Sequence, residues 1–348
     1  MRKRNRLQEI GRKAPSLGDV AARAGVSTAT VSRYLSNADQ VREERRSRIR
    51  KAIEDLGYLP HGAARALASR RSHTIGAIVP TLDNAIFARG IQSFQERLLR
   101  AGYTLFVASS NYSLQEERDQ AETLIARGVD GMLLVGLDHD RRLYSRLDKS
   151  GIPYVNTWAF DASVARPSIG FDNYDAARRL TTYLIDLGHQ RFGVISAIIK
   201  DNDRAMNRLR GVRDALRAHG IKLGEDMVLE CRYDLGDGRQ ALRRLLRQRQ
   251  PPTAVICGND VLAYGAIIEA QESGLSVPDD VSVVGFDDLP MSQHIRPSLT
   301  TIRVPSEEMG RRAAEYLVAR LAGEETADQV ELEVSLVVRA STTRPPVR

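Results

Sequence analysis

The sequence predicts a small all-α head followed by a larger α/β body built from two doubly wound parallel-sheet halves. Three observations lead there. The N-terminal region holds short amphipathic segments broken by glycines, strand-length apolar runs alternate with helical segments from Thr74 onward, and the charge is divided unevenly along the chain. With 348 residues, 42% hydrophobic and 27% charged, the chain can bury more than one core. The first 72 residues carry 17 Lys and Arg against 7 Asp and Glu, a net of +10, whereas the whole chain sums to +7. A compact basic head on a slightly acidic body suits a phosphate-backbone binder, which gains affinity by releasing condensed counterions. A solvated, disordered basic arm fits residues 1–14 but not the periodic segment after them.

Ser16 followed by Asp19 fits a capping box, and Leu17, Val20, Ala21 and Ala24 recur at helical spacing until Gly25. Gly25 supplies the permissive backbone of a tight turn, and Ser27 can cap a second helix over 28–35 that turns Val31 and Leu35 inward. A third helix, 43–56, opens with two glutamates and carries Ile49, Ala52, Ile53 and Leu56 on one stripe before Gly57. The first two helices make a helix-turn-helix unit.

The stretch Leu17-Gly-Asp-Val-Ala-Ala-Arg-Ala-Gly-Val-Ser-Thr-Ala-Thr-Val-Ser-Arg-Tyr-Leu-Ser-Asn resembles the signature of the lactose-repressor/galactose-repressor family of bacterial transcription regulators. The similarity continues through Gly57-Tyr58-Leu59-Pro60 and Ala64-Arg65-Ala66-Leu67 to about residue 342, although Ser36 and His61 stand where the family usually has asparagine. The resemblance implies that the second helix enters the major groove, with Thr28, Ala29 and Arg33 at base edges. Arg33 is the strongest reader, since a guanidinium pairs bidentately with guanine O6 and N7 and contributes about 1–3 kcal/mol of discrimination. Ser27, Thr30, Ser32 and Asn37 carry short donors suited to phosphate oxygens, and Tyr58 joins the DNA-binding set. For Thr30 and Ser32 a helix cap or a solvated face stays open. Residues 61–69 are too short for a stable isolated helix. The resemblance makes them a hinge helix that folds on DNA and wedges Leu67 into the minor groove, against the alternative that Leu67 packs on the body.

In the body, the first strand series falls at 75–79, 103–108, 131–135 and 152–156, and the second at 168–171, 192–195, 227–231, 254–257 and 281–285. Sheets of this kind bind ligands outside their strand carboxyl ends. The residues placed there are Asp83, Asn84, Phe87, Trp158, Phe160, Asn202, Asp203, Arg208, Tyr233, Asn259, Asp260 and Asp287. By resemblance, Phe87, Arg208, Tyr233, Asn259 and Asp287 match effector-contact positions, and Asn84, Trp158 and Asp203 complete the candidate effector set. The implied effector is a sugar, sugar acid or related metabolite. Trp158 occupies a place where many family members carry an acid. A turn role for Asp287, a helix-cap role for Asp260 and core roles for Phe87 and Tyr233 compete with ligand contact.

The resemblance makes the body periplasmic-binding-protein-like. The expected order is an arm (1–14), the helix-turn-helix domain (15–60), a hinge (61–72), an effector and dimerisation domain (73–342) and a tail (343–348). Within it the first half is placed at about 73–167 and 299–326, and the second at about 168–298 and 327–342. An enzyme is disfavoured, because the sequence has no phosphate-binding glycine loop, no nucleophile elbow and no metal-spaced His/Cys cluster. No cofactor is expected. The apolar runs 131–137 and 281–286 fall far short of the roughly 20 residues of a membrane span, and no secretory signal precedes the head, which points to the cytoplasm and away from a solute-binding transport protein. Cys231 and Cys257 read as buried small hydrophobes. The segment after Arg339 lacks apolar heptads, so a homodimer on a pseudo-palindromic double-stranded operator is expected. Leu67→Ser is predicted to weaken operator affinity without changing effector affinity; an operator titration indistinguishable from wild type would remove the wedge role.

Overall fold

The computed structural model describes residues 15–36, 38–59, 71–83 and 85–346. The N-terminal arm, Asn37, most of the hinge with Leu67, Asn84 and the last two residues lie outside the described residues. The chain divides into two compact units, residues 1–73 and 74–348.

In the first unit, α1 (Leu17–Ala24), α2 (Thr28–Ser36) and α3 (Glu43–Leu56) enclose a core of Val20, Ala21, Ala24, Val31, Val41, Ile49, Ala52 and Tyr58. The capping box is present: the Ser16 hydroxyl accepts from the Asp19 N–H, and Asp19 accepts from the Ser16 N–H at 2.8 Å. Ser27 Oγ accepts from the Thr30 N–H at 3.3 Å and so starts α2. Two arginines tie the small core together. Arg48 donates to the Gly25 carbonyl at 3.1 Å, bracing the turn between α1 and α2, and Arg23 pairs with Asp55 at 2.8 Å, joining α1 to α3.

In the second unit, twelve strands form two six-stranded sheets. The strands are β1 (Thr74–Val79), β2 (Thr104–Ser109), β3 (Gly131–Val135), β4 (Tyr154–Thr157), β5 (Ser168–Gly170), β6 (Phe192–Ala197), β7 (Val228–Cys231), β8 (Ala254–Cys257), β9 (Ser282–Asp287), β10 (Thr300–Arg303), β11 (Gln329–Glu331) and β12 (Ser335–Val337). The first sheet runs β11-β5-β4-β3-β1-β2 and the second β12-β10-β9-β8-β6-β7. Pairing is parallel throughout except between β10 and β12. The central strands are uniformly buried, as a sheet covered on both faces requires. The covering helices are α4 (Ala85–Arg100), α5 (Leu114–Ala126), α6 (Arg141–Ser150), α7 (Asn173–Asp186), α8 (Asp203–Ala218), α9 (Leu235–Leu246), α10 (Asp260–Glu272) and α11 (Ser306–Ala322).

The halves divide differently from the sequence expectation. Residues 168–170 extend the first sheet beside β4, residues 300–303 belong to the second sheet beside β9, and residues 329–331 return to the first beside β5. Strands of three or four residues carry too little periodicity to reveal which sheet they join; backbone pairing decides it. The chain thus passes between halves after β5, after β10 and after β11. Helices α4 and α11 meet at Gly90 and Gly310, where a Cβ on Gly310 would lie 2.0 Å from the Gly90 carbonyl oxygen. Gly310→Ala must push the two backbones apart, and urea unfolding is predicted to show a loss of about 1–3 kcal/mol.

Candidate functional site

Strand order reverses between β1 and β3 in the first half and between β6 and β8 in the second, and the loops after these strands face one cleft. Its inner cavity is walled by Phe87, Trp158, Asn202, Arg208, Tyr233 and Asp287, all named from the sequence, together with Ile86, Tyr112 and Arg204. Phe87 and Trp158 meet edge to face at 5.3 Å between centroids, and Tyr112 leans on Tyr233 at 6.1 Å. The interior is about 20 Å³, room for about one water. A vestibule of about 540 Å³ adjoins it, lined by Asp83, Asn111, Tyr112, Asn202, Tyr233 and Asp234 among others.

Arg208 is aimed before any ligand arrives. Its Nε donates to Asn173 Oδ1 at 2.8 Å, one terminal nitrogen donates to the Gly258 carbonyl at 2.6 Å, and the guanidinium lies 3.7 Å over the Phe286 ring. Asn173 also donates from Nδ2 to the Trp158 carbonyl at 2.9 Å, which connects the guanidinium to the opposite half. Trp158 is 2% exposed, its N–H points to Met309 Sδ at 3.0 Å, and its indole N–H has no partner. The Tyr112 hydroxyl is likewise buried and unpartnered. Burial pushes the Asp287 carboxyl well above its ordinary range; Arg208 opposes the shift and Asp260 adds to it. Burial also raises the phenols of Tyr112 and Tyr233.

Backbone strain concentrates here. Tyr112, Trp158 and Asp287 all sit at positive φ, at 60°, 58° and 116°. For non-glycine residues this costs on the order of 1–3 kcal/mol each and persists only where surrounding contacts enforce it.

Five sequence-named positions need correction or fall outside the described residues. Asp203 does not wall the cavity: its carboxylate accepts from the Leu137 N–H at 2.7 Å and from Arg204 at 2.6 Å. Asn259 caps α10, accepting from the Leu262 N–H at 2.9 Å, while its buried Nδ2 stays unpartnered. Asn84 lies outside the described residues. Asp260 is a structural acceptor rather than a cap, receiving hydrogen bonds from the Leu289 N–H and the Ser292 and Thr301 hydroxyls, with burial pushing its carboxyl up to about 6. Phe160 is not on the wall either. Ile86, Tyr112 and Arg204 were missed. Tyr112 follows β2 as the Phe87 segment follows β1, so the strand-end rule applied to every strand finds it; Arg204, beside Asp203, carried no separate signal.

In the head, Ser27, Thr28, Ala29 and Arg33 are exposed on one surface of α2, with Thr30 and Ser32 half-buried beside them. The Ser27 and Thr30 hydroxyls share a 2.9 Å hydrogen bond, so both serve the helix start. Tyr58 is 5% exposed and belongs to the core, its N–H closing α3 on the Ile53 carbonyl; this is a correction to its place among surface DNA-binding residues. Asn37 and Leu67 lie outside the described residues.

Residues 16–61 match the family described as bacterial regulatory proteins, lacI family, and residues 181–342 match a periplasmic binding protein-like domain. The HTH-type transcriptional repressor CytR of Escherichia coli is 34% identical over 336 residues, spanning 96% of this chain and 98% of the relative. The chain belongs to the lacI family. Among solved structures, the lac repressor dimer bound to operator and an anti-inducer covers 95% of this lacI-family chain and 100% of its own, at 28% identity and a TM-score of 0.84. A complex of the transcriptional regulator CelR with cellobiose covers 94% and 99%, at 33% identity and a TM-score of 0.69. This lacI-family protein is a helix-turn-helix transcription regulator, and the enzyme alternative falls away. Among the described residues no helix is long and apolar enough to cross a membrane, and no cluster of three or more His, Cys, Asp or Glu could hold a metal.

The raised Asp287 carboxyl has a definite sign in stability. The folded chain keeps a proton that the unfolded chain releases above about pH 4, so stability is full below that range and lost as pH rises through the elevated folded value. Asp287→Asn is therefore predicted to match wild type in urea midpoint near about pH 3.5 and to exceed it at about pH 8. Equal differences at both pH values would contradict a buried, proton-holding carboxyl.

Proposed function

We propose that this lacI-family regulator acts in the cytoplasm as a repressor of a catabolic operon. Two heads of a homodimer hold a pseudo-palindromic operator, and a small polar effector taken between the halves of each body sets the grip. The observation that carries the effector reading is the cleft itself: four aromatic rings surround a pre-aimed guanidinium and an unpaired carboxyl, on backbone held in strained conformations. Aromatic faces suit the apolar side of a sugar ring. A guanidinium offers forked donors to vicinal hydroxyls or a carboxylate, and Asp287 can accept from a hydroxyl. The inner cavity of about 20 Å³ is too small for a pyranose, so a sugar that reaches past the vestibule of about 540 Å³ requires the cleft to open. The CelR complex with cellobiose and the lac repressor dimer on its operator support the same reading. The dimer is further supported by β2, an edge strand paired only with β1 and carrying exposed Phe106 and Val107, with exposed Leu99 nearby in the chain. The mechanism calls on no cofactor or metal.

Full-length protein titrated onto a labelled duplex from its own genome tests this, with and without a panel of sugars and sugar acids. Site-preferring, salt-sensitive binding is expected to shift with one member of the panel. Arg33→Ala is expected to lose about 1–3 kcal/mol of operator affinity and little of its affinity for unrelated DNA. A wild-type protein that shows no preference among duplexes, or no response to any polyhydroxy ligand, contradicts the corresponding half of the proposal.

A further inference from the structure

Val135, Gly136 and Leu137 form the loop that leaves β3 at the first half's switch point, and α8 starts at the second half's switch point directly across the cleft. The first two residues of α8 reach over and bind this loop. Asp203 Oδ2 accepts the Leu137 N–H at 2.7 Å, and the Arg204 guanidinium donates to the Val135 carbonyl at 2.9 Å. The same guanidinium nitrogen pairs with Asp203 Oδ1 at 2.6 Å, so the two side chains brace each other and neither charge is left alone. Both are buried, at 7% exposure.

The loop is shaped for this grip. Gly136 stands at φ +104°, and a Cβ there would lie 2.2 Å from the Arg204 guanidinium and 2.7 Å from an Asp203 oxygen, so no side chain fits beneath the pair. The remaining groups of the loop are held from its own half: the Gly136 N–H donates to the Thr157 carbonyl at 2.9 Å, and the Gly136 carbonyl lies 3.1 Å from His139 Nε2. His139 is in turn fixed by Glu117 at 2.7 Å. Within the loop, the Val135 carbonyl and the Leu137 N–H are thus the groups bound from across the cleft.

We propose that Asp203 and Arg204 are a latch: an acid and a base that close the cleft by binding the backbone at 135–137, with Gly136 as the residue that admits them. Closure is carried by the protein's own groups, and an effector reaches the inner cavity only when both bonds break. The latch therefore sets how much of a ligand's affinity is spent on opening. It rests on the reading that this cleft takes the effector, but its own test does not need that ligand.

Trp158 is the chain's single tryptophan, and it is buried on the wall of the cleft. Its fluorescence reports opening directly. Acrylamide quenching of the full-length protein, with no added sugar, is to be compared for wild type, Gly136→Ala, Arg204→Met and Asp203→Asn. Each variant is expected to raise the quenching constant several-fold and shift emission to the red while leaving far-UV dichroism unchanged, and Arg204→Lys is expected to recover part of the protection. Gly136→Ala may be read only if its melting transition stays cooperative; the Arg204 and Asp203 variants, which ask nothing new of the backbone, keep the test decisive. Wild-type quenching in both of those variants overturns the latch, and so does an increase accompanied by loss of the cooperative melt, which would mark a purely structural pair. A failed effector screen alongside raised quenching would sink the effector reading and leave the latch standing.

Discussion

Arg208 places a permanent positive charge, half-buried, on the cleft wall of the second half, where an ion without partners would be unfavourable. The fold answers with several partial compensations: the Asn173 amide oxygen, the Gly258 carbonyl and the π face of Phe286. These come from the start of α7, the end of β8 and the end of β9, so a single guanidinium holds three carboxyl-side segments in register. Asn173 extends the network to the Trp158 carbonyl in the first half. That chain of contacts ends at the left-handed turn of Trp158, whose buried indole meets Phe87 edge to face.

The two sheets repeat one topology, with order reversing between the first and third strands of each series. Such a reversal opens a crevice at the carboxyl ends. Here the two crevices face one another: the first supplies Phe87, Tyr112, Trp158 and a backbone loop, the second supplies Tyr233, charge and hydrogen-bonding side chains. Three passages of the chain between halves make their relative movement a matter of a few connecting residues rather than of repacking either core. Ligand chemistry at the cleft can thereby be converted into a rigid-body change of the kind a DNA-binding dimer can read.

The head works by a different economy. Among the described residues its core has eight buried side chains with partly buried ones packed against them, and polar contacts add to this small core. The Ser16–Asp19 capping box begins α1, Arg48 closes over the Gly25 turn, and Arg23 fastens α1 to α3. A firmly held turn leaves α2 free to present Thr28, Ala29 and Arg33 outward.

Local signals were legible wherever one element's own chemistry decided its form. The capping box, the glycine turn, the bounds of α3 and the positions of the central strands along the chain follow from periodicity and cap residues in short windows, and most of the cavity wall follows from reading residues just past strand ends. What the sequence left undecided depends on partners far away in the chain. The three-residue strand 168–170 contains nothing that distinguishes one sheet from the other until β4 and β11 offer their edges. Tyr58 carries a polar tip that suits a surface, yet the head's few apolar residues enclose its ring. Asp203 looks like a ligand residue by position and becomes a backbone acceptor only because Leu137 is brought opposite it from 66 residues away. Helix starts, turns and apolar faces are set by neighbours within a few residues, which a linear reading contains; sheet membership, strained backbone at Trp158 and Asp287, and the pairing of Asp203 with Arg204 over Gly136 arise only when distant segments compete for the same unsatisfied groups.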